Sequence, residues 1–242
     1  MRNWMIALFL LLTTAGVAHA APDYDREKRW ADEITAGIVV GDPVYLEQKN
    51  GHRFLGILTE ANSPRMGLVV VHGMGLHPDW DMIGTLRQRL PDHGYTTLAI
   101  QMPVLAADAQ FDAYPTVFPD AVDRLALAVA YLKGKGLTRI TIVSHSNGSR
   151  MSRVFMNGNP PDVGAWVALS LTRGETFAGV KVPVFDLYGG KDLPHVLSAT
   201  KERKDSFRSP ASRQQSISGA DHFFVGHEEE MVEAVRAFLD GL

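Results

Sequence analysis

The chain has 242 residues, of which 45% are hydrophobic and 21% are charged, and its formal net charge at pH 7 is −3. A chain of this length can form one globular domain with a well-filled core. The slight negative charge argues against a nucleic-acid-binding protein. The absence of cysteine excludes disulfides, thiol catalysis and thiolate metal sites.

The first twenty residues have the pattern of a secretory signal. Arg2 precedes a mostly apolar run, Trp4 to Val17, and the small residues of Ala18-His19-Ala20 follow. Because the run is short for a membrane span, we expect cleavage after Ala20, with an uncleaved anchor as the alternative. Residues 21–242 are then a single exported domain, periplasmic or secreted, with no stable membrane insertion after signal cleavage.

The rest of the chain predicts strands and helices in alternation after a first helix and a hairpin. A charged helix is expected over 24–36, and Asn50-Gly51 between the runs 44–47 and 53–58 is a strong hairpin signal. Further strands are predicted over 67–71, 96–101, 139–143, 165–171, 182–187 and 214–217, helices over 81–90, 120–132, 147–156, part of 193–207 and 228–239, and a long loop over 103–118. This alternation indicates an α/β fold with a mostly parallel, doubly wound sheet and an N-terminal antiparallel hairpin.

A serine stands where one buried strand breaks into small residues. In Ser144-His145-Ser146-Asn147-Gly148 a helix-like pattern follows Ser146, so a sharp strand-to-helix turn would expose its hydroxyl above the sheet. That exposure suits a nucleophile, and the close approach of strand and helix requires small neighbours. An ordinary surface serine is the alternative, since the pattern small-x-Ser-x-Gly is weak by itself.

His222 and Asp192 are the candidate partners of Ser146. His222 lies between the last strand and the last helix, and imidazole side chains can take and return a proton near neutral pH. Asp192 lies just past a buried strand, where a carboxylate can accept the other imidazole N–H. Asp186 and Glu175 are the rival acids, and His222 could instead be a loop histidine packed on aromatic neighbours. The chain order of serine, acid and histidine favours catalysis.

Backbone N–H groups are the expected donors to an oxyanion. Asn147 offers one at a helix start, where the helix dipole also favours negative charge. Met74 offers the second, in the glycine-containing loop after the strand 67–71, and His72 is expected to prop that loop. The two glycines around Met74 could also mark an ordinary strand-to-helix turn.

Together these residues resemble the α/β-hydrolase superfamily. The resemblance rests on His72-Gly73, Ser146, Asp192 and His222 in the expected order, and it covers nearly all of the mature chain. It implies an α/β-hydrolase fold and acyl transfer to water. Ser146 would attack a carbonyl carbon while His222 takes the serine proton, and Asp192 would orient the imidazole.

A second, more local resemblance lies in the stretch 73–80, Gly-Met-Gly-Leu-His-Pro-Asp-Trp. It is similar to a small family of exported bacterial α/β-hydrolases of unknown function. One departure from the superfamily pattern is Ser144, because glycine usually stands at the start of this turn. We therefore expect slight strain there.

The expected pocket is open and apolar. Only about ten residues separate the strands predicted over 165–171 and 182–187, which leaves no room for the lid domain of many superfamily members. Leu105, Phe111 and Tyr114 of the long loop are the expected pocket wall, although they could simply pack the loop onto the body.

The leading hypothesis is an exported serine hydrolase that cleaves a small-molecule carboxylic ester. An amidase, peptidase or thioesterase with the same residues is one alternative, and a non-catalytic envelope binding protein on the same scaffold is another. No cofactor is expected. No metal site is expected either, since His72, His77 and Asp79 have no familiar ligand spacing. Partner proteins and oligomeric state are not indicated by the sequence.

Overall fold

The structure is a computed structural model that describes residues 21–172 and 174–242. The predicted signal sequence and its cleavage site therefore lie outside the described residues. Within those residues one sheet contains eight strands, which are β1 Asp42–Glu47, β2 Arg53–Thr59, β3 Met66–Val71, β4 Tyr95–Ile100, β5 Ile140–His145, β6 Val163–Leu169, β7 Val184–Gly189 and β8 Arg213–Ile217.

Helices precede the sheet and connect its strands. In the described part of the chain the α-helices are α1 Tyr24–Gly37, α2 Asp81–Arg89, α3 Phe118–Gly134, α4 Asn147–Asn157, α5 Pro194–Ser198, α6 Thr200–Asp205 and α7 Glu228–Asp240. Short 3-10 helices cover Leu90–His93 and Phe111–Val117. None of the helices in these residues combines the length and hydropathy that crossing a bilayer requires.

The sheet is mostly parallel, with antiparallel pairing at its N-terminal edge. Its strand order is β1-β2-β4-β3-β5-β6-β7-β8. Strands β1 and β2 pair antiparallel, with Glu47 opposite Arg53 beside the tight turn, and β2 also pairs antiparallel with β4. The strands from β4 to β8 are parallel to their neighbours. The predicted fold class, including the antiparallel hairpin, is confirmed.

The continuously apolar strands follow from burial on both faces of the sheet. In β3, Leu68 and Val70 pack into one cluster with residues of α2 and α7, whereas Val69 and Val71 pack into another with residues of α3 and α4. Successive side chains of a strand point to opposite faces, so a strand covered by helices on both sides needs no polar positions.

The carboxyl ends of the central parallel strands meet at one edge of the sheet. Ser146 follows β5, Ser170 follows β6 and Asp192 lies three residues after β7. His222 follows β8 in the loop that leads to α7. In the connection between β6 and β7, the described residues contain neither a helix nor a strand. Polar groups from distant parts of the chain therefore converge where such sheets bind ligands.

The long loop predicted over 103–118 is partly helical, which corrects the prediction. The 3-10 helix Phe111–Val117 lies within it, and Ala113 N–H donates to the Gln110 carbonyl at 3.0 Å. Helix α3 begins at Phe118, two residues earlier than predicted. Proline is tolerated at the start of a helix, and Pro119 occupies that place in α3. The segment rich in proline and aromatic residues thus forms a 3-10 helix over part of its length.

Candidate active site

Ser146 lies on a strained turn between β5 and α4. Its φ of 55° and ψ of −122° are unusual for a residue with a side chain, and its N–H donates to the Leu169 carbonyl at 2.9 Å. Such a conformation costs about 1–3 kcal/mol and persists only where the surrounding structure enforces it. A Cβ on Gly73 would lie 3.2 Å from Cβ of Ser146. The turn therefore depends on small neighbours, as its sequence predicts.

Ser144 occupies the place where the superfamily usually has glycine. Its side chain is fully buried, and its Oγ accepts a hydrogen bond of 2.8 Å from Nε1 of Trp166. Its hydroxyl also lies 3.1 Å from Oγ of Ser149, whose own hydroxyl donates to the Ser144 carbonyl at 2.7 Å. The extra atoms of the serine are thus accommodated in a polar niche with their hydrogen-bonding needs met.

The structure brings Ser146, His222 and Asp192 into one hydrogen-bonded line. Nε2 of His222 lies 2.9 Å from Oγ of Ser146, and Nδ1 of His222 lies 2.6 Å from Oδ1 of Asp192. A carboxylate can only accept, so Nδ1 carries the proton and Nε2 is free to accept the serine hydroxyl. This tautomer lets the imidazole withdraw a proton from Ser146.

Several groups hold Asp192 in place. Its Oδ2 accepts hydrogen bonds from Oγ of Ser170 at 2.5 Å and from the Gly189 N–H at 3.2 Å, and its Oδ1 accepts one from the Leu193 N–H at 2.7 Å. Burial raises the pKa of Asp192, but the hydrogen bonds from His222 and Ser170 outweigh it and leave that pKa below its usual value. The group is therefore a carboxylate at neutral pH.

The rival acids have other partners. Asp186 lies inside β7, and its Oδ2 accepts a hydrogen bond of 2.8 Å from Nε of the buried Arg203. Glu175 forms ion pairs with Arg150 and Arg153 at 3.4 and 3.2 Å. Neither carboxylate has a hydrogen bond to His222 among the described residues. Asp192 is the acid in contact with the imidazole.

The two expected oxyanion donors flank Ser146. Asn147 is the first residue of α4, where N–H groups have no partner inside the helix and the dipole favours an anion. Met74 follows Gly73, the residue that lies against Ser146. Among the hydrogen bonds of the described residues, none outside the regular helices and strands is donated by the N–H of Met74, which lies in a loop, or of Asn147. Both are thus available to a ligand.

His72 supports the loop that carries Met74. Its side chain is buried, its Nδ1 donates to the Gly73 carbonyl at 2.8 Å, and its Nε2 accepts from the Met102 N–H at 2.9 Å. Burial lowers the pKa of His72 to about 3, so the ring is neutral at neutral pH. It therefore acts as a fixed bridge between two loops, which is the propping role expected from the sequence.

A cavity of about 270 Å³ opens over Ser146 and His222. Its walls are largely apolar and include Phe111 on one side and Phe223 on the other. Side chains that are more than a third exposed form part of its rim, namely Met74, Leu193 and Phe223. An apolar hollow beside a nucleophile can hold the acyl or aryl part of a substrate.

Of the three residues expected to form the pocket wall, the structure places only Phe111 on the cavity. Leu105 and Tyr114 are each 2% exposed and belong to the main hydrophobic core, which corrects that prediction. The 3-10 helix turns Tyr114 inward while Phe111 lies beneath the guanidinium of Arg150, 4.7 Å from its ring centroid. The alternative interpretation, that these side chains pack the loop onto the body, holds for two of the three.

Two polar side chains of the site were not assigned a role from the sequence. Ser170 binds Asp192, and His145 donates from Nε2 to the His222 carbonyl at 2.9 Å. The position of Ser170, directly after β6 and beside the strand that precedes Asp192, was the available signal. His145 is the last residue of β5, and its neighbours come from a loop 77 residues away in sequence.

Comparisons with known proteins agree with this architecture. A family model described as "Protein of unknown function (DUF3530)" matches residues 9–121. No curated protein is similar enough in sequence to count as a relative. Among solved structures, Est1E from Butyrivibrio proteoclasticus is 17% identical with a TM-score of 0.66, covering 82% of this chain and 97% of its own. Est1E is also known with ferulic acid bound.

Two further structures extend the likeness. Dienelactone hydrolase from Anabaena variabilis is 20% identical with a TM-score of 0.67, covering 83% of this chain and 97% of its own. An alpha-beta serine hydrolase homologue from Coxiella burnetii is 15% identical with a TM-score of 0.66, covering 83% and 98%. Identities this low establish a shared architecture, so the chain has the α/β-hydrolase fold.

Proposed function

We propose that the protein is an exported serine hydrolase that cleaves carboxylic esters through an acyl-enzyme. The observation that carries the proposal is the line of contacts from Ser146 through His222 to Asp192, with separations of 2.9 and 2.6 Å. With its proton on Nδ1, His222 can act as a base toward the hydroxyl of Ser146. The N–H groups of Met74 and Asn147 can donate to the negative charge that develops on the substrate oxygen.

In the first half of the reaction, Oγ of Ser146 attacks the ester carbonyl carbon while Nε2 of His222 takes the hydroxyl proton. The carbonyl oxygen becomes an oxyanion and accepts hydrogen bonds from the N–H groups of Met74 and Asn147. The carboxylate of Asp192 stabilises the imidazolium. His222 then gives the proton to the leaving alcohol as the carbon–oxygen bond breaks, which leaves an ester on Ser146.

In the second half, water takes the place of the leaving alcohol. His222 removes a proton from the water as its oxygen attacks the acyl carbon, and the same N–H groups hold the second oxyanion. The proton returns to Oγ of Ser146 when the intermediate collapses, and the carboxylic acid is released. The enzyme ends in its starting protonation state.

The cavity walls favour an apolar acyl group of modest size. Phe111, Phe223 and Leu76 line a cavity of about 270 Å³, and Met74 and Leu193 extend the apolar surface to its mouth. Exposed apolar side chains grouped at one site are typical of a binding surface. Ferulic acid, the molecule bound to Est1E, is an aromatic carboxylic acid and is compatible with such walls.

A fluorophosphonate probe tests the proposal, because it phosphonylates serines activated by a neighbouring base. We expect the mature protein to be labelled and Ser146→Ala to be unlabelled. Ser218→Ala is the matched control, since Ser218 is exposed, and it should be labelled like the wild type. A folded wild-type protein without labelling would instead favour a non-catalytic binding protein.

Two further measurements define the substrate and the location. Aryl esters graded by acyl length, compared with the corresponding anilides and thioesters, should show the highest kcat/KM for an ester with a short or aromatic acyl group. Preference for anilides would favour the amidase alternative. Export is tested by fractionation of cells that make the full chain, with the processed protein expected outside the cytoplasm.

A further inference from the structure

The imidazole of His145 links the turn of Ser146 to the loop of His222. It is fully buried, and its Nε2 lies 2.9 Å from the carbonyl oxygen of His222. A carbonyl oxygen can only accept, so Nε2 carries the proton and donates it. Nδ1 has no hydrogen-bond partner among the described residues, and a Cβ on Gly73 would lie 3.1 Å from it. The imidazole of His145 thus fills the space between the loop that carries Gly73 and Met74 and the loop that carries His222.

His145 keeps this single hydrogen-bonding state over the working range of pH. Burial, together with the neighbouring His222, lowers the pKa of His145 to about 3. The centroids of the two imidazole rings are 4.9 Å apart, so a charge on both would be costly. A neutral ring with its proton on Nε2 can hold the carbonyl while His222 gains and loses a proton.

The donor of this hydrogen bond, His145, is the residue directly before the nucleophile Ser146. His145 and Ser146 are adjacent, so their Cα atoms are separated by one peptide unit, about 3.8 Å. The hydrogen bond from His145 therefore ties the backbone of His222 to the immediate neighbour of the nucleophile. With the contact between Nε2 of His222 and Oγ of Ser146, it closes a small ring around the reacting atoms.

The other anchors of this loop act on the residues around His222. Oδ1 of Asp221 accepts from the N–H groups of Phe223 and Val225, and the Ala220 carbonyl accepts from Lys191 N–H. Among the hydrogen bonds of the described residues, the one from His145 is the one that reaches the backbone of His222. Asp192 thus holds the imidazole of His222, and His145 holds the backbone of the same residue.

We propose that His145 is a positioning residue whose hydrogen bond to the His222 carbonyl sets the distance between the imidazole of His222 and the hydroxyl of Ser146. This inference rests on the proposed hydrolase function. It gives the side chain of His145 a role separate from those of the nucleophile and of the oxyanion donors. The hydrogen bond of His145 goes to a backbone carbonyl and not to Oγ of Ser146 or the imidazole of His222, so we expect its loss to appear in kcat and in the reactivity of Ser146.

The test compares His145→Leu, which removes the donor, with His145→Gln, whose amide nitrogen can still donate to the carbonyl. For an aryl ester we expect His145→Leu to lower kcat about 10-fold to 100-fold, the effect of a misplacement of about 1 Å, with KM changed less than about twofold. His145→Gln should restore kcat to within about fivefold of the wild type. His227→Leu, in the same loop but paired with Glu230, is the control and should have wild-type kcat.

A second measurement does not depend on how the leucine variant folds. Nitrogen-15 NMR of the histidine rings in the wild-type protein should show His145 as the neutral Nε2–H tautomer from pH 5 to pH 8. Wild-type kcat in His145→Leu, equal impairment of the two variants, or an Nδ1–H tautomer would each overturn the inference. Failure of the proposed function is distinguishable, because the folded wild-type protein would then neither react with fluorophosphonate nor hydrolyse the ester.

Discussion

Oγ of Ser170 donates a hydrogen bond of 2.5 Å to Oδ2 of Asp192, the oxygen that faces away from His222. Ser170 itself has a φ of 51°, a backbone conformation that is unfavourable for a residue with a side chain, directly after β6. Hydrogen bonds to charged groups contribute about 1.5–3 kcal/mol. The contact therefore helps to keep a carboxylate ionised in a buried place.

Replacement of this serine tests the contact. Ser170→Ala should lower the free energy of unfolding by about 1.5–3 kcal/mol at pH 7, measured by urea denaturation. The pKa of Asp192 should rise, because one of the hydrogen bonds that lower it is lost. Since a lowered carboxylate pKa stabilises the folded state above the ordinary value of 3.8, the difference should shrink as pH falls through the folded pKa. An unchanged pKa in carbon-13 NMR would contradict the assignment.

Asp192→Asn tests which acid orients the imidazole. An amide nitrogen at this position would donate to Nδ1, which favours the wrong tautomer of His222, so kcat should fall by about 10⁴-fold. Glu175→Gln is the matched change at the rival acid. Because Glu175 pairs with Arg150 and Arg153, its replacement should leave kcat within about twofold of the wild type. The opposite ranking of the two variants in steady-state kinetics would contradict the proposed roles.

Gly148 is where helix α4 comes closest to the loop after β3. A Cβ there would lie 2.2 Å from the backbone oxygen of His72 and 3.0 Å from Cγ1 of Val71. Gly148→Ala should therefore force strand and helix apart and lower the free energy of unfolding by at least about 1–3 kcal/mol. Loss of fluorophosphonate labelling should accompany it.

Gly134→Ala is the contrasting change. Gly134 ends helix α3, and a Cβ there would meet no atom within 4 Å. We expect this variant to unfold at the same or a slightly higher urea concentration, with a gain of up to about 1 kcal/mol. Equal destabilisation by the two alanines would contradict the argument from close approach.

The buried histidines predict how stability depends on pH. Burial lowers the pKa of both His72 and His145 from 6.5 to about 3. Between these values the unfolded chain binds a proton at each ring and the folded chain does not, so stability falls as the pH is lowered. Each ring should contribute about 1.4 kcal/mol per pH unit in this window. His72→Gln should reduce the slope of the unfolding free energy against pH by the contribution of one ring, about 1.4 kcal/mol per pH unit. An unchanged slope in urea denaturation from pH 7 to pH 4 would contradict the prediction.

The sequence predicts the central strands well because burial on both faces leaves a continuous β-branched run, as in β3. The bounds of β6 and β7 differ by two residues from the prediction for a related reason. Leu171 is 1% exposed but lies beyond the last paired residue of β6, and Val182 packs against the core before β7 begins. Hydrophobicity reports burial, whereas a strand ends where its hydrogen-bonded partners end.

The residues of the candidate site also differ in how far the sequence could predict them. Ser146, Asp192 and His222 were found because each follows a recognisable strand, so chain order alone places them at one edge. Tyr114 and Leu105 could not be assigned to the core in this way. Apolar residues in a loop follow no regular period, so the sequence does not show whether their side chains enter the core or line a cavity. Ser170 needs the three-dimensional pairing of β6 and β7 to bring it beside Asp192.

The buried hydroxyl of Ser144 depends on a residue of the neighbouring strand. The hydroxyl is tolerated because an indole donor on the adjacent strand, Trp166, meets it. The position therefore accepts either glycine, which has no side chain, or a serine whose hydroxyl the neighbouring strand can satisfy. Pattern searches that insist on glycine would miss a chain such as this one, in which serine stands at that position and a tryptophan on the adjacent strand binds its hydroxyl.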